Sequence, residues 1–186
     1  MPSTASSRRG GVSTSEGQRQ FDVNLFGVAR LIQLAAPHMR RDGAGRIVNI
    51  SSIGGRIHEP MGAWYHATKF ALEGLSDCLR MELAPFGITV VVIQPGAILT
   101  EWSGIAQATL LATSGHTAYA DAALQTAALL AGADQGNGSD PSVVADAVWQ
   151  AISARRPRTR YAVGGGARPL LALRWLLSDR AFDALM

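Results

Sequence analysis

The stretch that decides the fold runs from residue 46 to residue 93 and contains three segments with different patterns. It opens with RIVNIS at residues 46–51, a short run rich in β-branched residues that is typical of a strand. YHATK at residues 65–69 begins a segment with helical spacing, and ITVVVI follows it at residues 88–93. An almost unbroken Val/Ile run is typical of a parallel strand buried on both faces. Strand, helix and strand in this order predict a right-handed βαβ unit.

Similar patterns continue on both sides of this unit. Apolar residues from Phe21 onward recur at intervals of three and four, which predicts a helix that Pro37 kinks or ends. Arg160–Val163 is a candidate third strand. The expected fold class is therefore α/β, with a parallel sheet of about three strands flanked by helices. Further helices are predicted within residues 103–138, from Pro141 to about Arg155, and over Leu170–Leu185.

Composition limits the classes of protein to which the chain can belong. Its 186 residues, 47% of them hydrophobic, suit one domain with a substantial core. The one cysteine, Cys78, excludes an internal disulfide framework, so a cytoplasmic location is expected. No apolar run approaches the roughly 20 residues of a transmembrane helix. Residues 1–16 are small and polar, and they are interpreted as a flexible tail.

Basic residues concentrate in the C-terminal part, where seven arginines lie between Arg155 and Arg180. This cluster can be a solvated face, or it can attract phosphate. Together with the amphipathic segment Leu170–Leu185 it can also bind an acidic membrane surface. It forms no basic platform interleaved with aromatic residues, so no nucleic-acid partner is expected.

Tyr65 and Lys69 are four residues apart on the predicted helix, so their side chains should be neighbours. Such a pair also occurs by chance on many helices. If it is functional, the lysine cation should stabilise the phenolate and lower the pKa of Tyr65 from its usual value of about 10. The tyrosine could then exchange a proton with a substrate oxygen.

Two further segments point at the same region. Ser52 follows the first predicted strand, and Pro95-Gly96 follows the second. Ligands of open α/β sheets bind beyond the carboxyl ends of the strands, so these residues and Tyr65 should converge. Each segment alone has an ordinary structural interpretation, because serine is common at strand ends and Pro-Gly is common in turns. Their occurrence in this order and spacing favours a common site.

Taken together, these segments resemble the short-chain dehydrogenase/reductase family. RIVNISS at residues 46–52 is similar to the family's strand leading to its catalytic serine, and Tyr65-x-x-x-Lys69 is similar to its central motif. Pro95-Gly96-x-Ile98-x-Thr100 resembles the motif after the next strand, and Asp22-Val23-Asn24 resembles the helix that supplies the family's asparagine. The resemblance covers about residues 20–186. It implies that residues 17–186 form the C-terminal part of a Rossmann-like domain.

The resemblance also implies roles for individual residues. Tyr65 would be the general acid/base, Lys69 would lower its pKa and bind the nicotinamide ribose, and Ser52 would hydrogen-bond the substrate oxygen. Asn24 would position a water that links Lys69 to solvent. The reaction implied is the NAD- or NADP-dependent interconversion of an alcohol and a carbonyl, with a lipophilic substrate suggested by the C-terminal part. Beside Tyr65 and Lys69, the residues that would contact the cofactor are Pro95, Gly96, Ile98 and Thr100.

The sequence departs from the family's pattern in its N-terminal part. A Gly-x-Gly-x-x-Gly turn, the family's pyrophosphate site, does not occur in it. The second strand, whose last residue chooses between NAD and NADP in the family, is also missing, so the choice of cofactor is unreadable. The expected sheet is a partial Rossmann-like sheet, whose first strand would have a bare edge. The alternative function is a catalytically inactive, truncated member that acts as an oligomerisation partner. In the family, the helices of Asn24 and Tyr65 form the dimer interface, which implies a homo-oligomer.

Overall fold

Three parallel strands form the sheet in the computed structural model, which describes residues 13–132, 136 and 138–186. The strands are β1 (Gly45–Ile50), β2 (Ile88–Pro95) and β3 (Arg160–Val163), in the spatial order β1-β2-β3. Gly45 pairs with Ile88, and Val92 pairs with Arg160. The α/β class and the partial Rossmann-like sheet predicted from the sequence are therefore confirmed.

Helices connect and flank the strands. A π-helical segment at Asp22–Gly27 joins the first two α-helices, and short 3₁₀ turns occupy Ile53–Gly55 and Ala84–Phe86. The α-helices are α1 (Thr14–Phe21), α2 (Val28–Asp42), α3 (Ala63–Leu83), α4 (Trp102–Ser114), α5 (Ala120–Gly132), α6 (Ser142–Ser153), α7 (Ala167–Leu176) and α8 (Asp179–Asp183).

Two predicted boundaries were wrong, and one of two alternatives at Pro37 is excluded. The first helix begins at Thr14 rather than at Phe21, because the Ser13 hydroxyl accepts a hydrogen bond from the Glu16 amide and caps it. Residues 14–16 therefore belong to α1, and residues 1–12 of the predicted tail lie outside the described part of the chain. Of the kink or end predicted at Pro37, the end does not occur, since α2 continues to Asp42. Helix α7 starts three positions earlier than expected, at Ala167.

The core lies on both faces of the sheet, as the unbroken apolar run of β2 requires. On one face, Ile88 and Val90 of β2 pack with Ile32 of α2 and Leu83 of α3. On the other face, Val91 and Ile93 pack against Ala147 and Ala151 of α6. Strand β2 is thus buried between two helical layers, which is the setting of a central parallel strand.

Strand β1 forms one end of the sheet. Within the described residues it pairs with β2 alone, and Ile50 at its carboxyl end is 45% exposed. The bare strand edge expected from the sequence is therefore present. Its carboxyl end opens directly onto the residues that the sequence predicted to be functional.

Candidate active site

Ser52 and Tyr65 meet at the carboxyl end of β1. Ser52 follows β1 in an extended conformation, and its Oγ accepts the Gly54 N–H at 3.0 Å. The same hydroxyl lies 3.4 Å from the Pro95 carbonyl oxygen, to which it can donate. Tyr65 lies in the first turn of α3, and its phenol lies close enough to the Ser52 side chain for that hydroxyl to affect its pKa. The two hydroxyls predicted to share one substrate oxygen are thus next to each other.

The acidity of Tyr65 differs from the expectation. Burial raises the pKa of the phenol above its usual value, and the negative charge of Glu59 adds to the increase. The adjacent Ser52 hydroxyl lowers the pKa but does not outweigh burial. The prediction of a lowered pKa was therefore wrong for this structure, and Tyr65 carries its proton at neutral pH.

Lys69 lies beside Tyr65, as its place one helical turn later requires. Its Nζ is 5.9 Å from the centroid of the Tyr65 ring and donates to the Ile50 carbonyl oxygen at 3.1 Å. Burial lowers the pKa of the Lys69 ammonium, while the Glu73 carboxylate one turn further on raises it. The amine is therefore directed to the end of β1 and not to the phenolic oxygen, which explains why it does not acidify Tyr65.

Asn24 reaches α3 from the π-helical segment. Its Nδ2 donates to the Thr68 hydroxyl at 3.1 Å, and that hydroxyl in turn donates to the Tyr65 carbonyl oxygen at 2.7 Å. Asn24 therefore contacts the residue before Lys69, and the described contacts do not include one to Lys69 itself. Single π-helical turns are frequent at functional sites, because the extra residue redirects the side chains that follow.

The Pro95-Gly96 segment forms a tight junction with the chain after β3. The Gly96 amide donates to the Val163 carbonyl oxygen at 2.8 Å, and Ala97 donates to Gly165 at 2.9 Å. A Cβ on Gly96 would lie 2.3 Å from the Gly165 carbonyl oxygen, so only glycine fits there. This junction fixes the direction in which the chain continues to Ile98.

Ile98 and Thr100 line an open concavity of about 570 Å³ at the end of β1. Its lining is almost wholly apolar apart from Thr100, whose Oγ accepts the Trp102 amide at 3.4 Å. The cavity extends from Ile50 to Trp149 of α6, which is 69% exposed. Pro95 and Gly96 are near neighbours in the chain but do not belong to the lining.

A buried ionic cluster locks α3, which carries Tyr65 and Lys69, to the sheet. Glu73 is 3% exposed, and its carboxylate accepts hydrogen bonds from Gln94 of β2 at 3.0 Å and from Arg160 of β3 at 2.9 Å. Arg56 lies 3.4 Å from the same carboxylate. Since buried charges are stable only when paired and hydrogen-bonded, this cluster fixes the helix at a defined height over the strands.

Two aromatic neighbours of Tyr65 were not predicted from the sequence. The Trp102 ring lies 5.7 Å from the Tyr65 ring, and the buried His66 ring lies at the same centroid distance. His66 directly follows Tyr65 in the chain, so the helical pattern could have indicated it. Trp102 comes from α4, and the sequence held no signal for its position.

Metal-ligand clusters and helices fit to cross a membrane are both absent from the described part of the chain. No group of three or more histidine, cysteine, aspartate or glutamate side chains that could hold a metal ion occurs in residues 13–132 and 138–186. In the same part of the chain, no helix combines the length and the apolar character needed to cross a membrane.

Comparison with known proteins gives consistent results. The sequence profile of the family described as short chain dehydrogenase matches residues 6–110. The uncharacterized oxidoreductase YusZ of Bacillus subtilis is 32% identical over 171 residues, which are 91% of this chain and 61% of that protein. The 3-ketodihydrosphingosine reductase of Bacteroides thetaiotaomicron is 34% identical over 157 residues, which are 84% of this chain and 58% of that protein.

The fold matches as well. A short-chain dehydrogenase of Streptomyces avermitilis superposes with a TM-score of 0.72 at 34% identity, over 94% of this chain and 61% of that one. The chain thus spans about 60% of the length of these relatives. Its profile match, its parallel sheet and the adjacency of Ser52, Tyr65 and Lys69 agree with one another. The chain belongs to the short-chain dehydrogenase family.

Proposed function

We propose that this chain carries the proton-transfer site of a nicotinamide-dependent oxidoreductase that interconverts an alcohol and a carbonyl compound. The observation that carries the proposal is the position of the Tyr65 phenol beside the Ser52 hydroxyl at the end of β1, close enough for Ser52 to lower its pKa. Two neighbouring hydroxyls at this place can both bind one further oxygen. The complete set of Ser52, Tyr65 and Lys69 favours this function over an inactive partner.

Tyr65 acts as the general acid in the direction of carbonyl reduction. Its buried phenol keeps its proton at neutral pH and donates it to the carbonyl oxygen as that oxygen gains negative charge. Ser52 donates its hydroxyl proton to the same oxygen in a hydrogen bond, which stabilises the developing charge. The nicotinamide cofactor supplies the hydride when it is bound.

The residues at the end of β1 fit the nicotinamide half of such a cofactor. The Lys69 ammonium, already directed to this strand end, would bind the ribose hydroxyls. Ile98 and Thr100 line the adjacent concavity and would hold the nicotinamide ring, with Pro95 and Gly96 fixing the segment that carries them. NAD and NADP differ at the adenosine end, so these residues do not choose between them.

A lipophilic substrate is the class that the surroundings favour. Trp102, half exposed, lies beside Tyr65 and offers an apolar wall to a substrate at the phenol. The reductase of Bacteroides thetaiotaomicron is named for a 3-ketodihydrosphingosine substrate. The single cysteine, Cys78, remains the ground for placing the reaction in the cytoplasm.

Turnover of a series of aldehydes and ketones of increasing chain length tests this function. We expect cofactor-dependent reduction, followed through the absorbance of NADH or NADPH, with kcat/KM rising with chain length. Tyr65→Phe should lower kcat/KM by about 10²- to 10⁴-fold because the proton donor is lost. Tyr119→Phe, at an exposed tyrosine, is the matched control. Equal rates in Tyr65→Phe and the parent protein would refute the role of the phenol.

We infer further that the chain self-associates through its Asn24 and Tyr65 helices. The outer side of α2 and of the π-helical segment carries exposed apolar side chains, while Ile32 and Ala36 of the same helix face the core. An apolar stripe on a helix that is already packed on its other side favours a protein partner. The exposed side chains are Val23, Phe26, Leu31 and Leu34.

A further inference from the structure

The His66 side chain occupies the centre of the loop that carries Ser52. It is 6% exposed and lies between two glycines. A Cβ built on Gly54 would lie 3.1 Å from the ring Nδ1, and a Cβ on Gly62 would lie 2.7 Å from Cδ2. The ring thus fills the space that both glycines leave open, and the loop from residue 53 to residue 62 wraps around it.

The contacts of the His66 ring show which of its nitrogens carries a hydrogen. Nδ1 lies 2.8 Å from the Gly54 carbonyl oxygen, and since a carbonyl only accepts, Nδ1 carries a hydrogen and donates it. In the neutral ring Nε2 is then a bare acceptor. It is buried, has no hydrogen-bond partner, and lies 3.7 Å from Glu59 Oε1, beyond hydrogen-bond distance. Only a protonated Nε2 can interact favourably with that carboxylate.

Gly54 connects this histidine to the proposed chemistry. The Gly54 carbonyl accepts from His66, while the Gly54 amide donates to the Ser52 hydroxyl at 3.0 Å. Ser52 in turn lies beside the phenol of Tyr65, the residue that precedes His66, and lowers its pKa. A single glycine therefore transmits the position of the ring to the hydroxyl that faces the phenol.

The loop that holds Glu59 has two attachments. Near its start, His58 Nε2 lies 2.8 Å from Asp183 of α8. Near its end, Met61 adopts a φ of 65°, a left-handed conformation that is strained for a methionine and persists only where neighbouring contacts impose it. Glu59, which faces His66, lies between His58 and Met61 in the chain.

We propose that His66 is a positioning residue: its Nδ1–H holds Gly54, and thereby Ser52, opposite Tyr65, and its protonated Nε2–H attracts Glu59 and fastens residues 56–62 against α3. The statement about Ser52 rests on the proposed function. The statement about the loop does not, since it concerns only contacts within this chain.

The pH response follows from the groups that face the ring, which are Glu59 from the loop and Tyr65 from α3. Burial lowers the pKa of His66, but the Glu59 carboxylate and the Gly54 carbonyl raise it, and the net direction is upward from 6.5. A raised pKa means that the protonated ring stabilises the fold fully below pH 6.5. That stabilisation is lost as the pH rises through the folded-state pKa.

Amide hydrogen exchange of residues 53–62 between about pH 5 and 8, corrected for the intrinsic rates, tests the proposal without requiring turnover. In the parent protein, protection of residues 56–62 should fall about fivefold as His66 loses its proton. His66→Asn places an amide donor near the position of Nδ1, so it should keep residues 53–55 protected and lose the pH response. His66→Leu should lose both. His58→Asn should retain the protection of residues 53–55 and serves as the matched control.

Two results would overturn the proposal. One is a pH response of the loop that persists in Glu59→Gln. The other is a neutral His66 that carries its hydrogen on Nε2, seen by nitrogen NMR of the ring, which also decides the matter if His66→Leu does not fold. Intact loop behaviour without any turnover would refute the proposed function and leave this role of His66 standing.

Discussion

At the scale of single residues, the pKa of Tyr65 depends on burial as well as on the residues that its motif places beside it. The spacing of Tyr65 and Lys69 correctly indicates that the two side chains adjoin, and their distance of 5.9 Å from ammonium to ring centroid agrees. Spacing cannot show that the phenol is buried or that Lys69 donates to Ile50. The direction of the pKa shift of Tyr65 could therefore not be predicted from the sequence.

The raised pKa of Tyr65 predicts a specific response of stability to alkali. Because the folded protein binds the neutral phenol more tightly than the unfolded chain does, this stabilisation is complete below about pH 10 and is lost as the pH rises through the folded-state pKa. The free energy of unfolding, measured by urea denaturation at increasing pH, should fall more steeply in the parent protein than in Tyr65→Phe. Tyr119→Phe, at an exposed tyrosine, should follow the parent. Parallel curves for the parent and Tyr65→Phe would contradict the burial of the phenol.

The contact partner of Asn24 is a second feature that the sequence could not predict. The motif Asp22-Val23-Asn24 placed this asparagine near the site, and it does contact α3. Its partner is Thr68, because the π-helical turn adds a residue to the helix and shifts the side chain. No helical periodicity in the sequence indicates such a turn, so the contact could not be predicted.

At the scale of elements, α1 packs through a glycine on α3, the helix that carries Tyr65 and Lys69. A Cβ on Gly17 would lie 2.7 Å from two atoms of the Trp64 ring, which also packs against Phe21. Helix α1 itself was missed, although Ser13 and Glu16 are the first and fourth residues of a capping-box pattern. The signal was present, but the small polar residues around it are equally typical of a tail.

Paired glycine substitutions test this packing. Gly17→Ala should lower the free energy of unfolding by about 1–3 kcal/mol, since the added methyl group displaces the Trp64 ring. Gly74→Ala, on an exposed position of α3 with nothing within 4 Å, should raise it by about 0.5–1 kcal/mol. Both values can be obtained from urea denaturation. A Gly17→Ala protein as stable as the parent would show that α1 does not dock at Trp64.

Pro37 is a case where tertiary packing overrides a local rule. Proline inside a helix removes one hydrogen bond and is expected to break it. Here the neighbouring Ala36 is buried in the core and Met39 packs against the same cluster, so both sides of the proline are held and α2 continues. The strands, in contrast, were predictable, because short, unbroken runs of β-branched residues are typical of strands buried on both faces.

At the scale of the whole molecule, the exposed apolar surface on the outer side of α2 is the feature that most favours binding of another protein. The outer stripe of α2 includes Leu31, which is 69% exposed, although the other side of this helix already contributes Ile32 to the core. Sequence periodicity indicated an amphipathic helix, but it could not show which apolar residues remain outside. The resemblance to the family supplied the expectation of an oligomer at this surface.

Leu31→Glu should weaken self-association. A charge placed within an apolar interface is desolvated without a partner, so the Kd for association should rise about tenfold or more. Sedimentation equilibrium over a range of concentrations measures this constant. Trp175→Glu, on α7 and 85% exposed, should leave it unchanged. A parent protein that is monomeric at every concentration would contradict the proposed interface.

The most direct measurement is a double-mutant cycle of Ser52→Ala and Tyr65→Phe in kcat/KM for cofactor-dependent carbonyl reduction. If both hydroxyls bind one substrate oxygen, their contributions are coupled, and the double variant should be no more than a few-fold slower than the slower single variant. If the loss of kcat/KM in the double variant equals the product of the losses in the two single variants, the two residues act independently. That result, or a parent protein that reduces no carbonyl compound with either cofactor, would contradict the account.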